Sequence, residues 1–473
     1  MRTARTFGPD DQLRFAKLTG DFNPMHVDAM AARRTQAGAP VVHGIHSLLW
    51  LLDEVAAHHP CLPAIATLQV RFARMVYVGE DVEAVITQQS ESELCAEVLV
   101  DDAVAVQLTA TLGSPHSAPT HMPRTDGSPL LRPTAPLDRS LEGMEGGSGY
   151  LAFASDPGEL GRTFPNAAHL LGSRRVASLG CSTFLVGMVL PGLHSIYGSL
   201  ALDICEDNDR GDYIAFKVIS TDRRFGLVRI EICGGGLHGS LDTFVRQAPT
   251  KQASLGAVAR LVSRNEFVGA TALIIGGSRG LGELTAKVIA AGGGDVIVTY
   301  AVGRAEAEAL ATEISAWGGT CAVIPYDVYR DADEQLSPLI AAPTHIYYFA
   351  TPIIFRRKSK LFAENRFNDF NTFYVSGFYR LVEAGLRRRP EGISVFYPSS
   401  AAVDDRPANM TEYTMAKAAG EILCADINAQ MPKVRVLVAR LPRLATDQTA
   451  TLVPVETADP LAVMLPIIRS VHG

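Results

Sequence analysis

Apolar residues in the first half of the chain fall into two successive runs built on one plan. Residues 41–57 form an apolar block of helical period, and LPAIATLQVRFARMVYVGEDVEAVITQQ, LCAEVLV and AVAVQLTATL then alternate apolar and polar with period two. Residues 175–190 supply a second helical block, followed by LHSIYGSLALDI, YIAFKVIST, LVRIEICG and GSLDTFVR as a second set of strands. After Val268 the rhythm changes. TALIIGG, DVIVTY, CAVIPYDV and HIYYFAT are short apolar strands separated by amphipathic helices, which predicts a doubly wound parallel sheet with ligands at the carboxyl ends of its strands.

A long helix wrapped by an antiparallel sheet, repeated, predicts an α+β double hotdog ahead of the α/β Rossmann-type unit. A single curved sheet leaves an open edge, and pairing two of them closes it. The Pro-, Ser- and Gly-rich stretch GSPHSAPTHMPRTDGSPLLRPTAPLDRSLEGMEGG predicts a linker. The expected organisation is a hotdog at 1–113, a linker at 114–147, a second hotdog at 148–250, and the α/β domain at 268–473. Residues 176–202 contain no charged side chain, but Gly180, Gly187, Pro191, Gly192 and Gly198 interrupt them, predicting a buried helix and strand and no membrane span.

The chain has 473 residues with 43 Lys plus Arg against 50 Asp plus Glu, and the resulting charge of −7 argues against a nucleic-acid partner. Seven scattered cysteines with no C-x-x-C spacing fit free thiols in a reducing compartment and predict no metal site. The opening MRTARTFGPDDQLRF lacks an apolar export signal, so a cytoplasmic location is expected.

In FAKLTGDFNPMHVD, Gly20 and Pro24 hold a turn that lets Asp21 and His26 converge on one water or hydroxyl and trade a proton. APVVHGIHSLL then starts the central helix near His43 and Gly44, where free amides and the dipole can hold a thioester oxygen as enolate charge develops. The Gly-Asp-x-Asn-Pro-x-His run and the following His-Gly together resemble the MaoC-like (R)-specific hydratases and dehydratases, hydratase 2, across roughly residues 1–113. The resemblance implies that Asp21 and His26 add or remove water syn across C2–C3 of an acyl thioester, with Asn23, Gly44 and Ser47 in support. His43, His46, His58 and His59 are expected to be ordinary surface or core histidines. The second copy, whose nearest polar residues are Asn166 and His169, is expected to be non-catalytic.

GGSRGLG follows a strand and opens a helix, the context of a phosphate-cradling turn, and places Gly276, Ser278, Arg279, Gly280, Leu281 and Gly282 at a nucleotide. No acid ends the next strand, VIVTYAVGR, which favours NADP(H) over NAD. Tyr413 and Lys417 lie one helical turn apart, and Ser400 ends a strand shortly before them, an arrangement for proton delivery to a developing alkoxide. This segment resembles the short-chain dehydrogenase/reductases, and within them the 3-oxoacyl thioester reductases. The resemblance implies Tyr413 as proton donor, Lys417 on the nicotinamide ribose and Ser400 on the substrate, with Asp327 toward the adenine and Pro442 and Thr446 toward the carboxamide. Three departures stand out: Tyr348-Phe349-Ala350-Thr351 replaces Asn-Asn-Ala-Gly, Tyr374 replaces a catalytic Asn, and the tail after Thr446 is short. The basic run Arg387-Arg388-Arg389 is a candidate docking patch for an acidic carrier protein.

The expected function is a bifunctional 3-oxoacyl-thioester reductase and (R)-3-hydroxyacyl-thioester dehydratase, acting on acyl carrier protein or CoA thioesters in fatty-acid or polyketide assembly, as a homodimer. Two alternatives stand beside it. One is a dehydratase whose second domain is a nucleotide-binding or dimerising scaffold, and the other is a catabolic hydratase and dehydrogenase.

Overall fold

The computed structural model describes residues 2–117, 130–206, 211–354, 361–449, 451 and 455–473. Residues 118–129 of the expected linker lie outside them. The chain divides into one compact unit over Met1–Ala248 and another over Pro249–Ala450 with Glu456–Gly473.

The first unit runs through β1 (Arg2–Thr6), the helix Gly44–His58, β2 (Ile65–Phe72), β3 (Asp81–Gln89), β4 (Glu93–Val100) and β5 (Ala103–Leu112). After a short β6 (Leu130–Leu131), the plan repeats with β7 (Ser148–Ala152), the helix Ser173–Phe184, β8 (Ser195–Ile204), β9 (Tyr213–Asp222), β10 (Leu227–Gly234) and β11 (Leu237–Val245). The sheet order is β1-β3-β4-β5-β2-β8-β11-β10-β9-β7-β6. Taken inward, and setting aside the two-residue β6 at the far edge, each half follows the same path, β1-β3-β4-β5-β2 and β7-β9-β10-β11-β8. The halves meet where β2 pairs antiparallel with β8, Thr67 opposite Asp203. This is the double hotdog that the repeated pattern predicts.

Period-two alternation decides which face of each strand turns inward: Leu94, Ala96 and Val98 of β4 and Leu108 and Ala110 of β5 are fully buried. The central helix is apolar on nearly every side, with Ile45, Leu48, Leu49, Leu51, Leu52 and Val55 all buried. One of its two acids, Asp53, has a structural task. Asp53 Oδ1 accepts the backbone N–H of Asn166 (2.8 Å) and Ala167 (2.9 Å), placing a carboxylate at the N-terminus of the helix Pro165–Leu171. The uncharged stretch is helical through Phe184, continues as a π-helical turn over Leu185–Val189, and re-emerges as β8. Among the described residues no helix is long and apolar enough to cross a membrane.

The second unit is a six-stranded parallel sheet of β12 (Thr271–Ile275), β13 (Asp295–Tyr300), β14 (Cys321–Pro325), β15 (His345–Tyr348), β16 (Ile393–Ser400) and β17 (Val434–Leu441). Its order, β14-β13-β12-β15-β16-β17, reverses direction between β12 and β15, the place where such sheets open a crevice for ligands. The helix Pro460–His472 closes one face through buried Met464 and Ile468.

Candidate active sites

In the first unit, the helix Pro9–Thr19 stops at Gly20, whose φ of +81° is a left-handed cap that turns the chain toward Asp21. Asn23 holds the next turn: its Oδ1 accepts the N–H of Met25 (3.1 Å), and its Nδ2 donates to the carbonyls of Gly187 (2.9 Å) and Gly192 (3.1 Å). The Asp21 carboxylate is fully buried. It accepts the Asn23 N–H at 3.1 Å and the Thr183 hydroxyl at 2.7 Å. Gly187 lies in the π-helical turn, and a Cβ added to it would stand 2.2 Å from Asp21 Oδ1, so the carboxylate occupies the space a side chain would take.

His26 is half-buried, with Nδ1 2.8 Å from the Val41 carbonyl oxygen. A carbonyl only accepts, so Nδ1 carries the proton and Nε2 keeps a free lone pair. The His43 ring stacks on His26 with centroids 3.8 Å apart. Gln12 Oε1 anchors His43 through its backbone N–H (3.1 Å) and Nδ1 (2.9 Å), and His43 Nε2 lies 3.1 Å from the Asp21 carbonyl. Donor atoms of Asp21, His26 and His43 all fall within 4.8 Å of one another. Gly44 follows at the start of the central helix, where the first N–H groups have no intrahelical acceptor; a Cβ there would press on the Phe72 ring at 3.0 Å. Ser47, one turn on, is buried.

Burial sets the protonation of this pair. It raises the Asp21 carboxyl above its usual 3.8, against the opposing pull of charged His26, the Thr183 hydroxyl and the Asn23 N–H. It lowers the His26 imidazole below its usual 6.5, against the Asp21 charge and the Val41 hydrogen bond. Burial thus pushes both groups toward their neutral forms, a carboxylic acid and a free imidazole base.

In the second unit, the glycine turn follows β12. Gly276 has φ +76°, and a Cβ on it would meet the Phe349 and Ala350 backbone at 2.9–3.0 Å. Gly282 lets the helix Gly280–Ala291 start against the turn, since a Cβ there would lie 2.4 Å from the Gly276 carbonyl. Thr299 fixes the turn from β13, accepting the Gly276 N–H on its hydroxyl (3.1 Å) and the Gly277 N–H on its carbonyl (3.0 Å). Ser278 is buried, Arg279 Nη1 reaches Asp447 Oδ2 at 3.5 Å, and Leu281 packs against the apolar core. Tyr300, not an acid, ends β13.

Ser400 ends β16, and Tyr413 lies on the helix Thr411–Gln430. Burial pushes the Tyr413 phenol up and the Ser400 side chain pulls it down. Lys417 Nζ donates to the Pro398 carbonyl at 2.6 Å, and burial lowers its ammonium to about 7. The other expected nucleotide contacts lie at strand ends too. Asp327 follows β14 and accepts the Tyr329 N–H (2.9 Å), Pro442 follows β17, and the Thr446 hydroxyl lies 3.2 Å from that of Thr449. Two of the three departures are packed into the same region: the Tyr374 and Thr351 hydroxyls hydrogen-bond each other, and Phe349 packs on Tyr347 and Phe396. The arginine run is engaged inside the unit. Arg387 makes a two-bond pair with Asp333 (2.5 and 3.0 Å), Arg388 donates to the Leu339 carbonyl, and Arg389 donates to the Gly392 carbonyl at 3.1 Å.

Thr183, Gly187 and His43 were not among the expected site residues. The first two stand far from the motif in sequence, within the copy expected to be non-catalytic. His43 had a signal in its place directly before Gly44.

Residues 1–109 match the family described as MaoC like domain, and residues 270–456 match the short chain dehydrogenase family. A mitochondrial 3-hydroxyacyl-[acyl-carrier-protein] dehydratase of Solanum lycopersicum is 34% identical over 103 residues, covering 21% of this chain and 61% of that protein. A peroxisomal hydratase-dehydrogenase-epimerase of Saccharomyces cerevisiae is 28% identical over 105 residues, covering 21% of this chain and 11% of that protein. The match thus spans less than two thirds of either relative. Similar solved structures include the oxidoreductase yciK from E. coli, at 19% identity, covering 44% of this chain and 90% of that one with a TM-score of 0.39. Another is FolM alternative dihydrofolate reductase 1 from Brucella suis in complex with NADP, at 20% identity, covering 37% and 72% with a TM-score of 0.34. The chain carries a MaoC-like dehydratase domain at its N-terminal end and a short-chain dehydrogenase domain at its C-terminal end.

Proposed function

We propose that the chain is a bifunctional enzyme that reduces a 3-oxoacyl thioester to the (R)-3-hydroxyacyl form and then removes water to give the trans-2-enoyl product. The observation that carries this proposal is that each unit holds its own acid–base set: Asp21 with His26 in one, Ser400 with Tyr413 and Lys417 in the other.

In the dehydratase, His26 Nε2 takes the C2 proton while Asp21 gives its proton to the departing C3 hydroxyl, which leaves as water. The resulting imidazolium and carboxylate return to neutral by proton transfer from His26 to Asp21. The Gly44 amide region offers N–H groups to the thioester oxygen as enolate charge develops. Each step of this kind contributes roughly 10²–10⁴-fold.

In the reductase, the residues fit a dinucleotide. The Gly276 and Gly282 positions leave no room for a side chain, and Gly280, with φ +60°, faces open space at the helix start. Gly276, Ser278, Arg279, Gly280, Leu281 and Gly282 would hold its phosphates, Asp327 the adenine, and Lys417, Pro442 and Thr446 the nicotinamide end. The lack of an acid beyond Tyr300 favours NADP(H). With a nucleotide held there, the chemistry it would supply is hydride transfer to the substrate carbon. Ser400 orients the substrate oxygen, Tyr413 protonates it, and the Lys417 ammonium favours that transfer. NADPH preference supports the reductive direction, and the thioester is carried on CoA or an acyl carrier protein, with a homodimer as the working assembly.

Separate assays of the full chain test this. An (R)-3-hydroxyacyl thioester without nucleotide should yield the enoyl product, and a 3-oxoacyl thioester should oxidise NADPH faster than NADH. Nucleotide binding without any turnover of the 3-oxoacyl thioester would favour the scaffold alternative, for which Phe349 and Tyr374 are the supporting observations. Faster NADH use in the oxidative direction would favour the catabolic one.

A further inference from the structure

Among the described residues, two lysines of the second unit are buried, and they are treated differently. Lys287 Nζ sits between two carboxylates, Glu283 at 2.8 Å and Glu313 at 3.0 Å. Among the described residues no carboxylate forms an ion pair with Lys417, which is only 5% exposed. Glu421, one turn along the same helix, is held by Arg440 at 2.6 Å and by the Ser399 hydroxyl. A buried ammonium with one carbonyl bond and no counter-ion tends to lose its proton.

What surrounds Lys417 instead is aromatic. Its Nζ lies 3.8 Å from the centroid of the Tyr374 ring, 5.0 Å from that of Tyr397 and 5.9 Å from that of Tyr413. The remaining titratable neighbours are Glu421 and Cys424 on its own helix. The Tyr374 ring is fixed in place from several sides. It sits in the π-helical turn Thr372–Gly377, its hydroxyl is bonded to Thr351, and its carbonyl accepts the Tyr397 hydroxyl at 3.1 Å. It stacks on Phe370 with centroids 5.8 Å apart and meets the Tyr413 ring edge-on at 5.7 Å. Gly420 permits this approach, since a Cβ on it would stand 1.9 Å from the Tyr397 hydroxyl and 2.9 Å from the Tyr374 carbonyl.

We propose that Tyr374 is a positioning residue of the reductase site, its ring face serving as the counter-ion that keeps Lys417 charged and aimed beside Tyr413. The proposal rests on the reductase reading for its catalytic consequence, but the electrostatic claim stands on the geometry. A desolvated cation over a tyrosine face gains on the order of 2 kcal/mol, equal to about 1.5 pH units of ammonium stabilisation. The ring provides this, not the hydroxyl.

The test uses the full chain with ¹⁵N-labelled lysine, following the Lys417 side-chain resonance with pH and assigning it with Lys417→Arg. Tyr374→Phe should titrate within about 0.3 pH unit of the unaltered protein, while Tyr374→Leu should titrate lower by about 1 unit or more. The alkaline limb of NADPH-dependent reduction should move down with it in the Leu variant and stay in the Phe variant. Tyr374→Met fills similar volume without a π face and replaces the Leu variant if thermal melting shows that one to be unfolded. A Leu or Met variant titrating like the unaltered protein, or Phe and Leu shifting alike, overturns the proposal. If no reduction occurs at all, the reductase reading fails on that count, and the titration still decides whether Tyr374 holds the charge.

Discussion

The two sites are assembled in opposite ways. Ser400, Tyr413 and Lys417 lie on one strand end and the helix that follows, so their spacing along the chain is nearly their spacing in the site. The Asp21 carboxylate instead receives a hydroxyl from Thr183, 162 residues away, and rests against a glycine of the same distant helix. The difference teaches where sequence patterns stop. A local constellation is carried by one element, whereas a site seated between two halves of a repeat depends on residues that no motif links. In both, a π-helical turn brings a decisive residue inward: Gly187 beneath Asp21, and Tyr374 beneath Lys417. The extra residue in such a turn shifts the side-chain register and creates an approach that a regular helix does not offer.

The contrast breaks most sharply when each site is disabled separately. Asp21→Asn or His26→Ala should lower dehydration by roughly 10³-fold and leave NADPH-dependent reduction intact, and Tyr413→Phe should do the reverse, measured as initial rates on the two substrates. Gly187→Ala comes next. Its new Cβ would collide with Asp21 Oδ1, so dehydration should fall about 100-fold through misplacement alone, with reduction unaffected. A normal dehydration rate in this variant would mean that the second copy does not seat the acid.

Thr183→Val should have a smaller effect, roughly 10-fold on dehydration, but with a directional signature. In the proposed dehydratase mechanism the working form has Asp21 protonated and His26 neutral. The rate therefore declines on the acid side as His26 gains a proton, at a pH below its usual 6.5, and on the alkaline side as Asp21 ionises, above its usual 3.8. The Thr183 hydroxyl stabilises the carboxylate, so removing it should move the alkaline limb of kcat upward. The smallest effect is expected at the arginine run. Arg387 is already paired with Asp333 on an exposed surface, so Arg387→Gln should change stability by less than about 1 kcal/mol and leave KM for a carrier-bound substrate within about twofold. A large rise in that KM would restore the docking role.

The layered plan was legible because periodicity carries it. Alternation in β4 and β5 and the apolar block of the central helix name their own buried faces, and the glycine turn after β12 names the start of a parallel sheet. The edge pairing of β2 with β8 was not legible in detail, since register between strands from different halves depends on side-chain fit across the sheet. Asp21, His26, Ser400, Tyr413 and Lys417 were accessible as candidates because their motifs are contiguous or one helical turn apart. Thr183 and Gly187 were not, lying in an apolar stretch where a threonine and a glycine have many ordinary uses. His43 was discounted because most histidines of a buried helix start are satisfied by packing. Only the ring stacked on His26 and the Gln12 bridge reveal its place. Tyr374 was visible as a departure, but its contact with Lys417 required the π-helical turn.

The most direct test of the account incubates the full chain with NADPH and a short 3-oxoacyl thioester, on CoA and on a carrier protein, following absorbance and product mass together. The account predicts loss of NADPH with enoyl product, and accumulation of the 3-hydroxyacyl intermediate in Asp21→Asn. Dehydration of added 3-hydroxyacyl thioester with no oxidation of either nucleotide would contradict it and leave a dehydratase joined to a catalytically silent domain.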